Sequence, residues 1–323
     1  MIRSRIALTS LLLSVLGLAS CGSSAALRAE TEAPSGPITH SFLACGSNTR
    51  IVDGSGEVVW SYRLGSQDGQ VLPNGNVLLA VKRCAEFPRG AVVEVTRDGE
   101  ETVVWVGEQH EIHTVCPLAD GRILVAEGGP KPRLLEIERS GEVVAVIPLA
   151  CQTDDFHMGT RMARKLDDGT YLVPHLLDFA VKQYDAEGQV IAVFDTTAPG
   201  DPGHAVHTWP FTAIRLPNGN THVNLTHSNQ VVQYDASGEV VWRLTNDDLP
   251  EPWLADPCGA QVLPSGNVVI ACYGQTDAAM PKLLEVTPAK EVVWTYHDEI
   301  PHSVHGIHVL DDRGVPLAGA PMK

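Results

Sequence analysis

One phrase of apolar and polar positions recurs along the whole chain. Each copy begins with an apolar stretch that ends in leucine, then continues through a tight turn and an alternating strand to a valine-rich strand. These marker leucines are Leu72, Leu118, Leu166, Leu216, Leu263 and Leu310, at spacings of 46, 48, 50, 47 and 47 residues. Asn-Gly and Asp-Gly pairs tolerate the positive φ of a hairpin, so each marker leucine is predicted to precede a strand reversal.

The valine-rich closing phrase also occurs six times. Its copies are EVVW at 57–60, TVVW at 102–105, EVVA at 142–145, QVIA at 189–192 and EVVW at 239–242 and 291–294. Four short strands in a repeat of about 47 residues are typical of a propeller blade, which buries its faces against its neighbours. The sequence therefore predicts an all-β fold, a six-bladed β-propeller of four-stranded antiparallel blades. Trp60, Trp105, Trp242 and Trp294 recur at one repeat position and are predicted to pack between blades.

The repeat region begins and ends inside a blade rather than at a boundary between two blades. The region opens with three strands, around 41–62, that lack an innermost strand, and it ends with an innermost strand around 304–310. Together they complete one blade, which leaves no unprotected ring edge. The tail after residue 314 could imitate the second strand of that blade, so the occupant of this position stays open.

The N-terminus has the pattern of a lipoprotein signal. Arg3 and Arg5 precede an apolar run from Ile6 to Leu18, which is too short to span a membrane as a mature helix. The following LASCG resembles a bacterial lipobox, which implies acylation at Cys21; cleavage near Ala26 by an ordinary signal peptidase is the alternative. We expect a signal peptide over 1–21, a flexible tether over 22–37 and a single propeller domain over 38–323. We also expect outer-membrane anchoring, facing the periplasm or the cell surface.

Composition narrows the possible partners. The net charge of −16 disfavours nucleic acid, because phosphate binding needs clustered Lys and Arg. Six cysteines remain after Cys21, and export makes disulfides possible, with fifteen full pairings open. They show no CxxC spacing typical of a zinc site. Cys45 and Cys272 occupy equivalent strands of adjacent blades, where buried free thiols are the default expectation.

The position five residues before each marker leucine is predicted to face the mouth of the central channel. The six mouth residues are Gln67, His113, Arg161, Phe211, Cys258 and His305. Imidazole can act as a base, nucleophile or metal ligand, and Arg161 could hold an anion. His157 and His207 lie nine residues before their marker leucines and could overhang the same mouth. The alternative is that such polar side chains bond exposed backbone groups of the next blade.

Most histidines fall on the same face of the predicted ring. Ten of the thirteen are placed there: His110, His113, His157, His175, His204, His207, His227, His297, His302 and His305. Only His40, His222 and His308 fall elsewhere. The clustering favours a ligand site on that face.

The repeat resembles two known groups of propellers. The closing phrase xDxxGEVVW, over roughly residues 41–319, resembles the pyrroloquinoline-quinone-type superfamily. The strand starts at His113 to Leu118 and His305 to Leu310 are similar to those of six-bladed bacterial arylsulfate sulfotransferases, although the Asp after the histidine is absent at both. The second resemblance implies a transferase with His113 or His305 as nucleophile or base and Arg161 gripping an anion.

Two functions follow as hypotheses. The first is a lipid-anchored scaffold that binds a small anionic ligand or a protein at its histidine-rich face, with Gln67, His157, Phe211 and Cys258 as binding residues. The second is an arylsulfate sulfotransferase-like or other enzyme, with His113, His305, His207 and Arg161 as catalytic residues. A histidine-bound metal is a further possibility, and the sequence identifies no cofactor.

Overall fold

Six four-stranded sheets follow one another around a ring in the computed structural model, which describes residues 39–197, 208–319 and 322–323. Every pair of neighbouring strands within a sheet is antiparallel. The predicted six-bladed β-propeller is therefore confirmed. Within the described residues, no helix is long and apolar enough to cross a membrane.

The first three blades are numbered in chain order, each from its innermost strand outward. Blade 1 contains β4 (Ser66–Val71), β5 (Val77–Val81), β6 (Ala91–Val95) and β7 (Glu101–Val106). Blade 2 contains β8 (Glu111–Pro117), β9 (Ile123–Gly128), β10 (Arg133–Ile137) and β11 (Val143–Pro148). Blade 3 contains β12 (Arg164–Lys165), β13 (Tyr171–His175), β14 (Ala180–Tyr184) and β15 (Val190–Asp195).

The remaining blades follow the same order. Blade 4 contains β16 (Trp209–Arg215), β17 (Thr221–Thr226), β18 (Gln230–Tyr234) and β19 (Val240–Leu244). Blade 5 contains β20 (Pro257–Val262), β21 (Val268–Cys272), β22 (Leu283–Val286) and β23 (Val292–Tyr296). Blade 6 contains β24 (Gly306–Leu310), β1 (Ser41–Cys45), β2 (Thr49–Val52) and β3 (Val58–Tyr62). A single 3-10 turn, Asn246–Asp248, follows blade 4.

Blade 6 joins the two ends of the repeat region. Its innermost strand β24 pairs with β1, in a register that runs from Ser41 opposite Leu310 to Cys45 opposite Gly306. The second position of the blade, which the sequence left open, thus belongs to β1. The tail instead makes two isolated bridges, one from Pro316 to Leu310 and one from Met322 to Val262.

Burial decreases from the inner strands to the outer ones. All residues of β5 and β9 are buried, because neighbouring blades cover both faces of these strands. The outermost strands instead expose valines such as Val58 and Val59. Trp60 and Trp105 are buried in apolar clusters, and Trp242 donates a hydrogen bond from Nε1 to the carbonyl oxygen of Pro288 on blade 5, at 2.9 Å. The recurrent tryptophans therefore contribute to packing within and between blades.

The hairpin turns and the cysteines also agree with their sequence patterns. Gly75 and Gly219 adopt φ of 88° in the turns after the innermost strands, a conformation open to glycine without strain. Cys45, Cys84, Cys116, Cys151, Cys258 and Cys272 are all free thiols. None of the fifteen disulfide pairings left open by the sequence is therefore formed among these six residues.

Candidate functional site

A local break in the sheet sets the direction of four of the six mouth residues. Gln67, His113 and Phe211 each lie at a β-bulge of an innermost strand, where the register with the second strand shifts by one residue. Cys258 lies at a similar register shift in β20. A bulge leaves a residue unpaired and re-aims its side chain, so the repeat phase that the sequence identified is a place where the ladder opens.

Arg161 and His305 stand just outside their innermost strands. Arg161 precedes β12, which is only two residues long, and the neighbouring Met162 has a φ of 32°. His305 precedes β24 and is held between blades, because its N–H donates to the carbonyl oxygen of Cys45 and its carbonyl accepts from Gly259. A Cβ atom at Gly259 would lie 2.9 Å from the Cα of Gly306, so the inner strands can approach this closely only with glycine there.

Four of the mouth residues contact one another in series. The guanidinium of Arg161 lies over the ring of Phe211, at 5.7 Å from the ring centroid. The ring of Phe211 meets the ring of His305 edge-on at 4.6 Å, and Nδ1 of His305 donates to the carbonyl oxygen of Gln67 at 3.2 Å. Cys258 is buried in the same apolar cluster as Phe211. The structure therefore brings Gln67, Arg161, Phe211, Cys258 and His305 together.

His113 is part of a buried network under the mouth. It is fully buried, and its Nε2 donates to Oε2 of Glu111 at 3.3 Å while its Nδ1 lies 3.2 Å from Oγ1 of Thr160. Burial, reinforced by the charge of Arg161, lowers the pKa of His113 to about 4. Both ring nitrogens of His113 have hydrogen-bond partners within the protein, so neither nitrogen is available to a ligand.

Glu111 is a functional candidate that the sequence reasoning missed. It accepts from Nε2 of Gln67 at 3.0 Å and from Nδ1 of His157 at 2.8 Å, in addition to His113. Burial would raise its pKa, but the hydrogen bonds from His113 and His157 outweigh burial and hold it well below its ordinary value. The imidazole of His157 is more than half exposed, so Glu111 orients a histidine whose Nε2 faces outward. The sequence signal that could have revealed Glu111 is its position two residues before His113, at the start of the same innermost strand.

Lys82 and Tyr273 complete the mouth and were also missed. Each is the first residue after the second strand of its blade, β5 and β21, and each is partly buried. The ring of Tyr273 meets that of His305 at 5.1 Å. Lys82 is close enough that its charge, with that of Arg161, adds to burial in lowering the pKa of His305 to about 3. Their shared repeat position could have revealed them. We call Lys82, Glu111, Arg161, Phe211, Tyr273 and His305 the mouth cluster.

Strained backbone surrounds this cluster. Met162, Asp256 and His302 all have positive φ, at 32°, 44° and 53°, and each lies within three residues of a mouth residue. Non-glycine residues in this region cost free energy and persist where the surrounding structure holds them. Part of the backbone strain of the ring therefore lies where Arg161, Cys258 and His305 are positioned.

The other histidines of this face take separate roles. His175 is the last residue of β13 rather than a loop residue, and its Nε2 is 2.8 Å from the hydroxyl of buried Tyr184. His302 donates from Nδ1 to the carbonyl oxygen of Tyr273. His110 packs against Phe156, and His227 against Trp209. His204 and His207 lie outside the described residues, as do Cys21 and the segments 1–21 and 22–37, so the expectations for them stay predictions.

The channel just below the mouth, one residue further along β4, contains a different set of charges. Asp68 is fully buried; its carboxylate lies 3.0 Å from Nη1 of Arg164 and 3.4 Å from Nζ of Lys323. Burial would raise the pKa of Asp68, but the charges of Arg164 and Lys323 outweigh burial and lower it. Met322 bridges to the last residue of β20, so the tail reaches this part of the channel. We call Asp68, Arg164 and Lys323 the lower network.

A groove of about 730 Å³ lies apart from the mouth, at the outer edge of blade 2. It is lined mainly by prolines and apolar side chains, with Cys151 at its wall. Burial raises the pKa of the Cys151 thiol to about 12, so this thiol is not an activated nucleophile. We place the candidate site at the mouth rather than in this groove, because buried Arg161 has no ion-pair partner among the described residues there. Across the described ranges, no three His, Cys, Asp or Glu side chains are grouped to hold a metal ion.

Comparison with known proteins supports the architecture. No family model and no curated protein sequence matches this chain. Among solved structures, a protein of unknown function from Bacteroides caccae is 22% identical with a TM-score of 0.71, covering 85% of this chain and 100% of its own. A catalytically inactive histidine-to-alanine variant of virginiamycin B lyase from Staphylococcus aureus, solved with quinupristin, is 12% identical with a TM-score of 0.55, over 82% of this chain and 87% of its own.

A third similar structure is that of a nidogen/laminin complex. The matched chain is 10% identical with a TM-score of 0.60, covering 84% of this chain and 98% of its own. At these identities the likeness shows the fold alone. The class of this protein is thus a six-bladed β-propeller, and its site must be interpreted from its own residues.

Proposed function

We propose that this chain is an exported, lipid-anchored propeller that binds a small ligand at the mouth of its channel. The observation that carries this proposal is Arg161. Arg161 is only 3% exposed, yet among the described residues its Nε has no hydrogen-bond partner and its Nη1 reaches only the carbonyl oxygen of Thr160. A buried charged group without a partner is costly, and concave sites with a few convergent polar groups are where ligands bind.

The site can be tested with a ligand-observed NMR screen of small aromatic compounds. Compounds that bind at the mouth should lose binding in His305→Ala, because His305 forms part of its wall. His297→Ala is the matched control, since His297 is exposed just after β23 and contacts only Thr295. Binding that is unchanged in His305→Ala would place the ligand elsewhere. A screen without any binder would favour a protein partner instead.

Export and anchoring are proposed from the lipobox-like LASCG at residues 18–22. A single acylated cysteine is the one anchor that the sequence suggests, and it would hold the propeller at the outer membrane. Radiolabelled palmitate should label the wild-type protein, and Cys21→Ala should lose both the label and membrane fractionation while staying folded. Label retained on Cys21→Ala would contradict the proposal.

A second candidate function is catalysis at the same mouth. The observation that favours it is the Glu111–His157 pair, because a carboxylate that accepts from Nδ1 leaves Nε2 of a neutral imidazole free to take a proton. His157 suits this role better than His305, whose pKa of about 3 makes it a weak base. The resemblance to arylsulfate sulfotransferases, and the inactive histidine variant of virginiamycin B lyase, are consistent with a histidine-dependent enzyme on this fold.

Release of 4-nitrophenolate from 4-nitrophenyl sulfate, with phenol as acceptor, tests the transferase form of this candidate. A transferase should release the coloured product in the wild type and lose this activity in His157→Gln and Glu111→Gln. His110→Gln serves as the control, because His110 lines the separate groove. Release that is equal in all four proteins, or absent in the wild type, would count against the transferase.

A further inference from the structure

We infer that the ligand of the mouth is a small organic anion with a flat apolar body, held between Lys82 and Arg161. This inference rests on the proposed ligand site and specifies what that site recognises. It adds Lys82 and Tyr273 as binding residues and gives each wall of the pocket a chemical role.

The first argument is that the two cations lack counter-charges. Within the described part of the chain, neither Lys82 nor Arg161 forms an ion pair, and Nζ of Lys82 makes no hydrogen bond. Some partly buried cations of the ring are paired with carboxylates, such as Arg50 with Asp298 at 2.6 Å and Lys165 with Glu136. Buried Lys282 instead donates to the carbonyl oxygens of Gln275 and Asp277. At the channel mouth, by contrast, Nζ of Lys82 has neither kind of partner among the described residues, and a bound anion would supply one.

The second argument is the electrostatic effect of the cations on their surroundings. Burial lowers the pKa of Lys82, and the charge of Arg161 lowers it further against the opposing influence of Glu111. Burial likewise lowers the pKa of Arg161. Both cations add to the depression of the pKa of His305. Glu111 opposes the influence of the two cations on each other, and a bound anion would relieve their repulsion further.

The third argument concerns the remaining walls. Phe211 and Tyr273 approach the ring of His305 from two directions, with centroid distances of 4.6 and 5.1 Å and interplanar angles of 89° and 77°. The hydroxyl of Tyr273 makes no hydrogen bond to another described residue, so it can donate to the ligand. Aromatic walls that flank charged donors suit a flat apolar body with one anionic group.

The pocket also distinguishes organic anions from inorganic ones. A bare sulfate ion would satisfy the cations but would leave the aromatic walls without contact. Benzoate and its neutral counterpart benzamide share one ring and differ in charge, so they isolate the contribution of the anionic group. Sodium sulfate isolates the contribution of the apolar body.

Isothermal titration calorimetry on the full chain with these three probes tests the inference. Benzoate should bind at least about tenfold more tightly than benzamide or sulfate, because a hydrogen bond to a charged group discriminates on this scale. Lys82→Met should weaken benzoate binding by a similar factor. Lys131→Met is the matched control and should leave it unchanged, because Lys131 is exposed at the separate groove.

Thermal unfolding of the ligand-free proteins supplies a readout that needs no ligand. If Lys82 serves an anion, Lys82→Met should melt at or above the wild-type temperature, because an unpaired charge beside Arg161 is removed. A clear drop in melting temperature would show that Lys82 has a structural role and would overturn the inference. So would benzamide or sulfate binding as tightly as benzoate, or the absence of benzoate binding. Equal binding of benzoate and benzamide with sensitivity to His305→Ala would still leave the ligand site itself standing.

Discussion

Two neighbouring levels of the central channel treat buried charge in opposite ways. In the lower network, Asp68 receives hydrogen bonds from the backbone N–H groups of Gly69 and Val115 in addition to its contacts with Arg164 and Lys323. One residue earlier along the same strand, Gln67 borders the mouth cluster. There Arg161 is buried and forms no ion pair with a described residue. The two environments therefore lie one residue apart on β4 but differ in whether their charges are compensated.

This difference separates stability from function. A buried charge that is paired and fully hydrogen-bonded holds strands together, and removing one partner leaves the others uncompensated. A buried charge that is unpaired contributes no stability of its own and is retained where it serves a ligand. The comparison associates the lower network with ring closure, and it supports the proposal of a ligand site at the mouth cluster.

Removal of residues 304–323 should have the largest effect. This truncation deletes β24 and the Lys323 contact, so blade 6 loses its innermost strand and the ring gains an open edge. We expect loss of cooperative thermal unfolding, measured by circular dichroism. A truncated protein that melts at the wild-type temperature would show that the ring does not depend on this closure.

Asp68→Asn should have the next largest effect. It leaves Arg164 and Lys323 buried without a counter-charge, which typically costs about 3–5 kcal/mol of unfolding free energy. Urea unfolding measures the loss. Asn74→Asp is a control with the opposite charge change, because Asn74 is exposed and an aspartate there keeps the oxygen that accepts from the N–H of Asn76. A loss below about 1 kcal/mol would mean that the lower network does not stabilise the ring.

Acidification should destabilise the protein through its buried neutral histidines. The folded-state pKa of His113 is about 4, below the ordinary value of about 6.5, so the unfolded chain binds the proton first. Stability should therefore fall as the pH drops from about 6.5 to 4, by up to about 1.4 kcal/mol per pH unit for this residue. Urea unfolding at several pH values should give a shallower slope for His113→Gln than for the wild type, and an unchanged slope for exposed His297→Gln. Equal slopes in all three proteins would contradict the burial of a neutral His113.

His157→Ala should have the smallest effect on stability. The imidazole of His157 is more than half exposed, and a single hydrogen bond such as the one from its Nδ1 to Glu111 contributes about 1 kcal/mol. We expect a change of no more than about 1 kcal/mol in urea unfolding. A larger loss would show that His157 supports the structure of the mouth rather than its chemistry.

Much of the fold was predictable because blades repeat. The marker leucines and the valine-rich phrases each occur six times, and both counts match the six sheets. The out-of-phase ends predicted that residues around 304–310 complete the blade begun around 41–62, and the pairing of β24 with β1 confirms it. A period of about 47 residues is a property of the chain itself, so it needs no knowledge of distant contacts.

The site was predictable only in part. Equal repeat phase correctly brought Arg161, Phe211 and His305 together, since inner strands converge on the channel. It could not show that His113 uses both ring nitrogens within the protein, because that depends on Thr160 and Glu111 from separate segments.

The sequence alone determined the number of blades, the order of strands in the five continuous blades and the phase at which side chains are expected to reach the channel, because these follow from local periodicity. Only the tertiary structure decided which charges find partners there. Lys323 contacts Asp68 although more than two hundred and fifty residues separate them along the chain. Lys82 and Arg161 come together at the mouth, where no described carboxylate is bound to either. Pairing of buried charge depends on distances between separate blades, and no periodic pattern in a single chain records those distances.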